Sequence, residues 1–242
     1  MKRQALLIGN MDATGAQIDI NNWKKYLQSG IGGAWKELEI KVLTDPSRVT
    51  LRTWLNFIKT DLNDFVLVAF AGHGNWTRST NLYINPQDEY ISESELKDLA
   101  PRQIICLDCC RGIARVPDVV NEAHLKFFSE TEKDSIRTRY DRRMMQADQQ
   151  QVTLYACSIG ESAYCTASGG GYYTKNLLSE CASLSGDEFL TVNRAHNLSA
   201  PVTINEVKLI ECKDQHPDIS AVRCPSSQQL ILGIRPSSYR IF

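Results

Sequence analysis

A mainly parallel α/β sheet of six strands, with helices on both faces, is the fold class predicted by this sequence of 242 residues. Two observations predict it. Short apolar runs recur along the chain, several of them apolar throughout, as strands covered on both faces are. Helical patterns lie between these runs, and that alternation favours parallel pairing through crossover helices.

The strands come in order at residues 5–9 (ALLIG), 38–43 (LEIKVL), 65–71 (FVLVAFA), 104–107 (IICL), 152–156 (VTLYA) and 230–234 (LILGI). A first helix over 17–28 carries Trp23, Tyr26 and Leu27 at helical spacing. A second over 48–60 carries Leu51, Trp54, Leu55 and Ile58, with Asp45-Pro46-Ser47 as its start signal. A third is predicted over 92–99 (SESELKDL), where Ser92 and Glu95 form a capping-box pattern. QHPD at 215–218 reads as a loop before the last strand, and no internal repeat is present.

This length suits a single domain over 1–242, able to bury a full core without staples. Within it, residues 113–150 stand apart, with seven basic and seven acidic groups in 38 positions. They read as a charged inter-segment linker.

With 27 basic against 28 acidic side chains, the chain has no general electrostatic reason to bind nucleic acid or an anionic membrane. No apolar run approaches 18 residues, and the apolar stretch after Met1-Lys2-Arg3-Gln4 is too short for a signal peptide. Eight cysteines in a chain this long are not a disulfide scaffold, so the expected compartment is a reducing cytoplasm.

Two strand ends carry reactive side chains. FVLVAFA runs into Gly72-His73-Gly74-Asn75, and IICL runs into Asp108-Cys109-Cys110-Arg111-Gly112. In an open α/β sheet the ligand site lies beyond the carboxyl ends of the strands, and glycine lets the backbone turn sharply there. A histidine and a cysteine on neighbouring strand ends make a base and a nucleophile. The imidazole can take the thiol proton and return it to a leaving amine.

AFAGHGN followed by IICLDCCRG resembles the caspase-like clan of cysteine peptidases, which includes caspases, metacaspases and bacterial relatives. GAQID at 15–19, VLTDPSRVTLRTWLNFI at 42–58, YACSIGESA at 155–163 and GGGYYTKNLL at 169–178 extend the resemblance over about two-thirds of the chain. It implies a caspase-like fold with Cys110 as nucleophile and His73, 37 residues earlier, as base. It also implies an oxyanion hole from the backbone N–H groups of Cys110 and Gly74. Asp108, two positions before the nucleophile, matches the metacaspase pattern and implies a pocket for Arg or Lys, with Asp19 as its second acidic wall. Ala13 stands near where caspases place an arginine, which argues against an Asp-directed pocket.

The implied partners are a protein or peptide substrate and an activating or regulatory protein. No cofactor is required by the sequence. Calcium stays open, because Ile159-Gly160-Glu161 replaces the metacaspase Asp-Asp-Gln and no EF-hand-like loop is present. Arg137, Arg139, Arg142 and Arg143 fall where relatives separate their large and small portions, so self-cleavage after one of them is expected.

Three rival readings stand beside this one. A catalytically silent regulatory module of the same clan is lowered by the intact His73 and Cys110. Cys109 to Arg115 fits the Cys-x-x-Gly-x-x-Arg loop of tyrosine phosphatases, although Asp108 would repel phosphate and oppose a Cys109 thiolate. Zinc held by Cys106, Cys109, Cys110 and a histidine lacks a structural-site spacing.

Overall fold

The computed structural model describes residues 1–112, 130–166, 168–183 and 188–235. In chain order the first half runs β1 (Arg3–Gly9), α1 (Ala16–Gln28), β2 (Ile40–Thr44), α2 (Arg48–Thr60), β3 (Phe65–Ala71), β4 (Gly74–Trp76), β5 (Thr80–Tyr83), β6 (Tyr90–Ser92) and β7 (Arg102–Asp108). The second half runs α3 (Glu130–Gln146), β8 (Gln150–Tyr155), β9 (Cys165–Thr166), β10 (Gly170–Gly171), α4 (Tyr172–Ser183), β11 (Phe189–Thr191), α5 (Val192–Ile210), β12 (Asp218–Ser220) and β13 (Ile231–Ile234).

The main sheet has the order β12-β8-β7-β3-β1-β2. Five strands are parallel, and β12 closes one edge antiparallel to β8. β4, β5 and β6 form a small antiparallel sheet between β3 and β7 in the chain.

Side-chain parity divides the core. Ala5 and Leu7 of β1, and Phe65, Leu67 and Ala69 of β3, pack on the face covered by α1, α3, α4 and α5. Leu6 and Ile8, with Val66, Val68 and Phe70, face α2 and the β5–β6 hairpin. That two-residue period is the pleat itself, and it makes strands apolar on both sides necessary. α2 begins as predicted, with Ser47 accepting a hydrogen bond from the Thr50 N–H at 3.1 Å.

Three expectations are corrected. Residues 230–234 do not join the main sheet. β13 pairs with β11, and Tyr26 Oη donates to the Leu232 carbonyl at 2.9 Å. An apolar run states burial, and here α1 and its neighbours supply the burial that a strand layer was expected to give. The sixth strand is instead β12, which starts at the last residue of the stretch read as loop, and its Asp-Ile-Ser composition carries no strand signal.

Residues 92–99 form only a single 3₁₀ turn at Glu93–Leu96. Ser92 accepts from the Ser94 N–H, and Glu95 accepts from Arg52 while keeping contact with the Ser92 N–H.

Residues 130–146 of the expected linker are the helix α3, while 113–129 lie outside the described residues. Ile136, Tyr140 and Met144, four residues apart, are buried in the core. Arg137 pairs with Glu39, Arg139 with Glu188, and Arg143 donates to the Ser226 and Gln229 carbonyls. Arg142 of this helix is exposed. Three of the charges that mark this stretch in the sequence, Arg137, Arg139 and Arg143, are thus engaged in docking the helix.

Candidate active site

Register brings the reactive ends together. Gly9 lies opposite Ala71, and Ala71 opposite Asp108, so β1, β3 and β7 end level. The Gly72 N–H donates to the Asp108 carbonyl at 3.1 Å, which extends the ladder one step past β3. His73 and Cys110 therefore emerge side by side. Both line a cavity of about 250 Å³, shared with Asp12, Asp19, Asp108 and Ala163. It lies where strand order reverses between β1 and β3, as in other open α/β sheets.

Cys110 is partly exposed, and its thiol donates to the Ala163 carbonyl at 3.6 Å. Cys109 is only 2% exposed, on the opposite side of the strand, and burial pushes its thiol well above the ordinary value. Cys106 packs on the α1/α4 face and Cys109 on the α2 face, so the three thiols do not converge. Gly74 fits because a Cβ there would come within 2.6 Å of the Cys110 carbonyl and 2.8 Å of the Cys109 sulfur. The His73 carbonyl accepts from the Tyr83 N–H at 3.0 Å, tying the loop to β5. Its Nε2 lies 3.8 Å from Asp12 Oδ2, which is too long for a hydrogen bond.

By parity Asp108 points to the face of α1 and α4, and there it meets Asp19. Asp19 is 4% exposed and Asp108 7%. The Gly171 N–H donates to Asp19 at 3.0 Å. Thr174 donates to Asp108 Oδ2 through its N–H at 3.1 Å and its Oγ1 at 2.6 Å. Gly171, just ahead of α4, and Thr174 in its first turn thus aim their amides at the two carboxylates, where the helix dipole favours negative charge. Burial still wins. It pushes Asp19 well above the usual carboxylate range, with the Asp108 charge adding to the effect, and it also raises Asp108. Among the described residues neither carboxylate has a cationic partner. Two carboxylates buried at one cavity wall are costly to ionise together unless a positive charge joins them.

The family model described as the caspase domain matches residues 2–223. The chain belongs to the caspase domain family. Caspase-1 from Spodoptera frugiperda superposes with a TM-score of 0.58 at 13% identity, covering 90% of this chain and 86% of that one. That likeness shows the fold. No curated protein matches the chain.

Cysteine-peptidase function follows from membership, and the phosphatase reading is not favoured. Arg115, on which the phosphatase reading depends, lies outside the described residues. Arg111 of this caspase domain is buried, with its guanidinium 3.9 Å from the Tyr155 ring centroid and donating to the Cys157 carbonyl. No group of three or more metal-ligating side chains occurs among the described residues, and none of the eight cysteines is in a disulfide. No described helix is long and apolar enough to cross a membrane. Thr174, Gly171 and the wall at 162–165 escape sequence reasoning, although GGGYYT places two of them within a matched motif.

Proposed function

We propose that this caspase domain is an endopeptidase that cleaves proteins after Arg or Lys, with Cys110 as nucleophile and His73 as base. The observation that carries the reading is the pair Asp19 and Asp108, buried together in the cavity that Cys110 and His73 line. A guanidinium placed there supplies the missing positive charge and can meet a carboxylate through two parallel hydrogen bonds.

His73 takes the Cys110 thiol proton, and the thiolate attacks the carbonyl carbon of the basic residue. The N–H groups of Cys110 and Gly74 receive the developing oxyanion, each worth about 3 kcal/mol in comparable sites. Collapse forms a thioester and releases the amine, which takes the proton held by His73. Water, activated by the same imidazole, then hydrolyses the thioester and regenerates the thiol.

Matched fluorogenic peptides ending in Arg, Lys or Asp, assayed with and without calcium, test the proposal. Arg and Lys cleavage should disappear in Cys110→Ala and His73→Ala and persist in Cys109→Ala. Cleavage after Asp would overturn the pocket assignment and keep the mechanism.

Self-cleavage after Arg137, Arg139, Arg142 or Arg143 would require α3 to unwind from the core, and only Arg142 among them is exposed. Intact mass after incubation beside Cys110→Ala tests it. Identical single-chain masses would remove self-processing.

A further inference from the structure

The wall of the cavity opposite His73 is a loop, residues 156–164, and loops hold geometry only where something pins them. Here the pins come from far along the chain, just before β12. Gln215 is fully buried. Its Nε2 donates to the Ala156 carbonyl at 2.9 Å and its Oε1 accepts from the Tyr164 N–H at 2.8 Å, so one side chain spans both ends of the loop. The next residue fixes the middle. His216 Nδ1 lies 2.6 Å from Glu161 Oε1, and its backbone N–H donates to Glu161 Oε2 at 2.7 Å.

The loop in turn touches the machinery. The Ala163 carbonyl faces the Cys110 thiol, and the Glu161 carbonyl accepts from the Arg111 N–H at 2.9 Å, one residue past the nucleophile. The Tyr164 carbonyl accepts from the Tyr172 N–H at 3.1 Å, beside the Gly171 amide that holds Asp19. The bonds from Gln215 therefore reach both the nucleophile and the cation pocket.

We propose that Gln215 is a positioning residue that, with His216 on Glu161, holds residues 156–164 as the substrate-facing wall beside Cys110. The inference rests on the reading of Cys110 as nucleophile and of the cavity as the substrate cleft. A buried amide joining two loop ends can be replaced in shape, but not in bonding, by methionine.

Three readouts on full-length Gln215→Met separate a positioning role from a general structural one. Amide exchange over 157–165 should accelerate at least ~10-fold, with exchange in β3 and β7 unchanged. Inactivation by an arginyl chloromethyl ketone should slow ~10-fold, while alkylation of Cys110 by iodoacetamide stays within ~2-fold. The KM for an Arg peptide should rise more than kcat falls.

Unchanged exchange over 157–165 overturns the proposal. So does equal slowing of both reagents with faster exchange in β3 and β7, which marks general loosening. If Gln215→Met does not fold, His216→Ala, at a half-exposed site, should show the same pattern at smaller amplitude, and its absence overturns the proposal. A wild-type chain that no arginyl reagent labels would overturn the basic-cleavage reading instead, while exchange still decides the clamp.

Discussion

Thr174 Oγ1, 2.6 Å from Asp108 Oδ2, ties this carboxylate to the first turn of α4. Burial raises the Asp108 carboxyl and the two Thr174 donors oppose that rise. Thr174→Val removes one donor and should raise Asp108 further. Arg binding needs the ionised form, so the acidic limb of kcat/KM should move to higher pH, measurable as a pH profile. An unmoved limb would detach Asp108 from recognition. Asp12 is a contrasting case. Its carboxylate is 63% exposed and 3.8 Å from His73 Nε2. Exposed pairs are worth about 0–1 kcal/mol, so Asp12→Asn should change kcat/KM by no more than about fivefold. A loss of a hundredfold would make Asp12 the third member of the site.

At the level of elements, the tight approach of β10, which leads into α4, to α1 and to the end of β7 shapes this wall of the cavity. A Cβ on Gly171 would overlap the Asp108 carboxylate, and one on Gly170 would overlap Asp19. Gly171→Ala should therefore cut kcat/KM for Arg peptides by about a hundredfold or more, as loss of a bidentate charge contact does, with iodoacetamide labelling of Cys110 preserved. Loss of labelling as well would mean that the whole cleft had moved.

This approach joins residues 152 positions apart, which is why the sequence pattern reveals it poorly. His73 and Cys110 were legible because each follows a wholly apolar strand and a glycine lies close by. Asp19 was legible only through the family resemblance. α4 escaped because Tyr172, Tyr173, Thr174, Asn176, Leu177 and Leu178 are all buried, which leaves only the narrow outward stripe of Lys175, Ser179 and Ser183 to mark a helical period. α5 escaped because Pro201 sits inside it. α3 was obscured in the opposite way, its three core residues outnumbered by charges, of which Arg137 and Arg139 turn out to be paired.

For the molecule as a whole, the buried carboxylates Asp19 and Asp108 and the buried His196 bend stability against pH from opposite sides. Asp19 and Asp108 are raised above their ordinary value of 3.8, so the folded chain holds protons that the unfolded chain has released. Stability from this source falls as pH rises from about 4 through the raised values. His196, 2.8 Å from the Tyr173 hydroxyl, is lowered by burial. The unfolded chain accepts a proton that the folded chain refuses, so its share of stability is lost as pH falls through about 6.5.

A cation in the pocket should remove the carboxylate part alone. Benzamidine carries an amidinium of the right charge and binds only when the carboxylates are ionised, so its affinity should rise with pH. At a hundred times its Kd, stabilisation reaches about 2.7 kcal/mol. For a chain of this size that corresponds to roughly 5–10 °C in Tm. Melting curves from pH 5 to 8 should thus show a benzamidine shift that grows with pH and disappears in Asp19→Asn. That variant, relieved of a buried charge, should itself melt no lower than wild type at neutral pH. A shift independent of pH, or retained in Asp19→Asn, would place the cation elsewhere and leave the two carboxylates without a role in recognition.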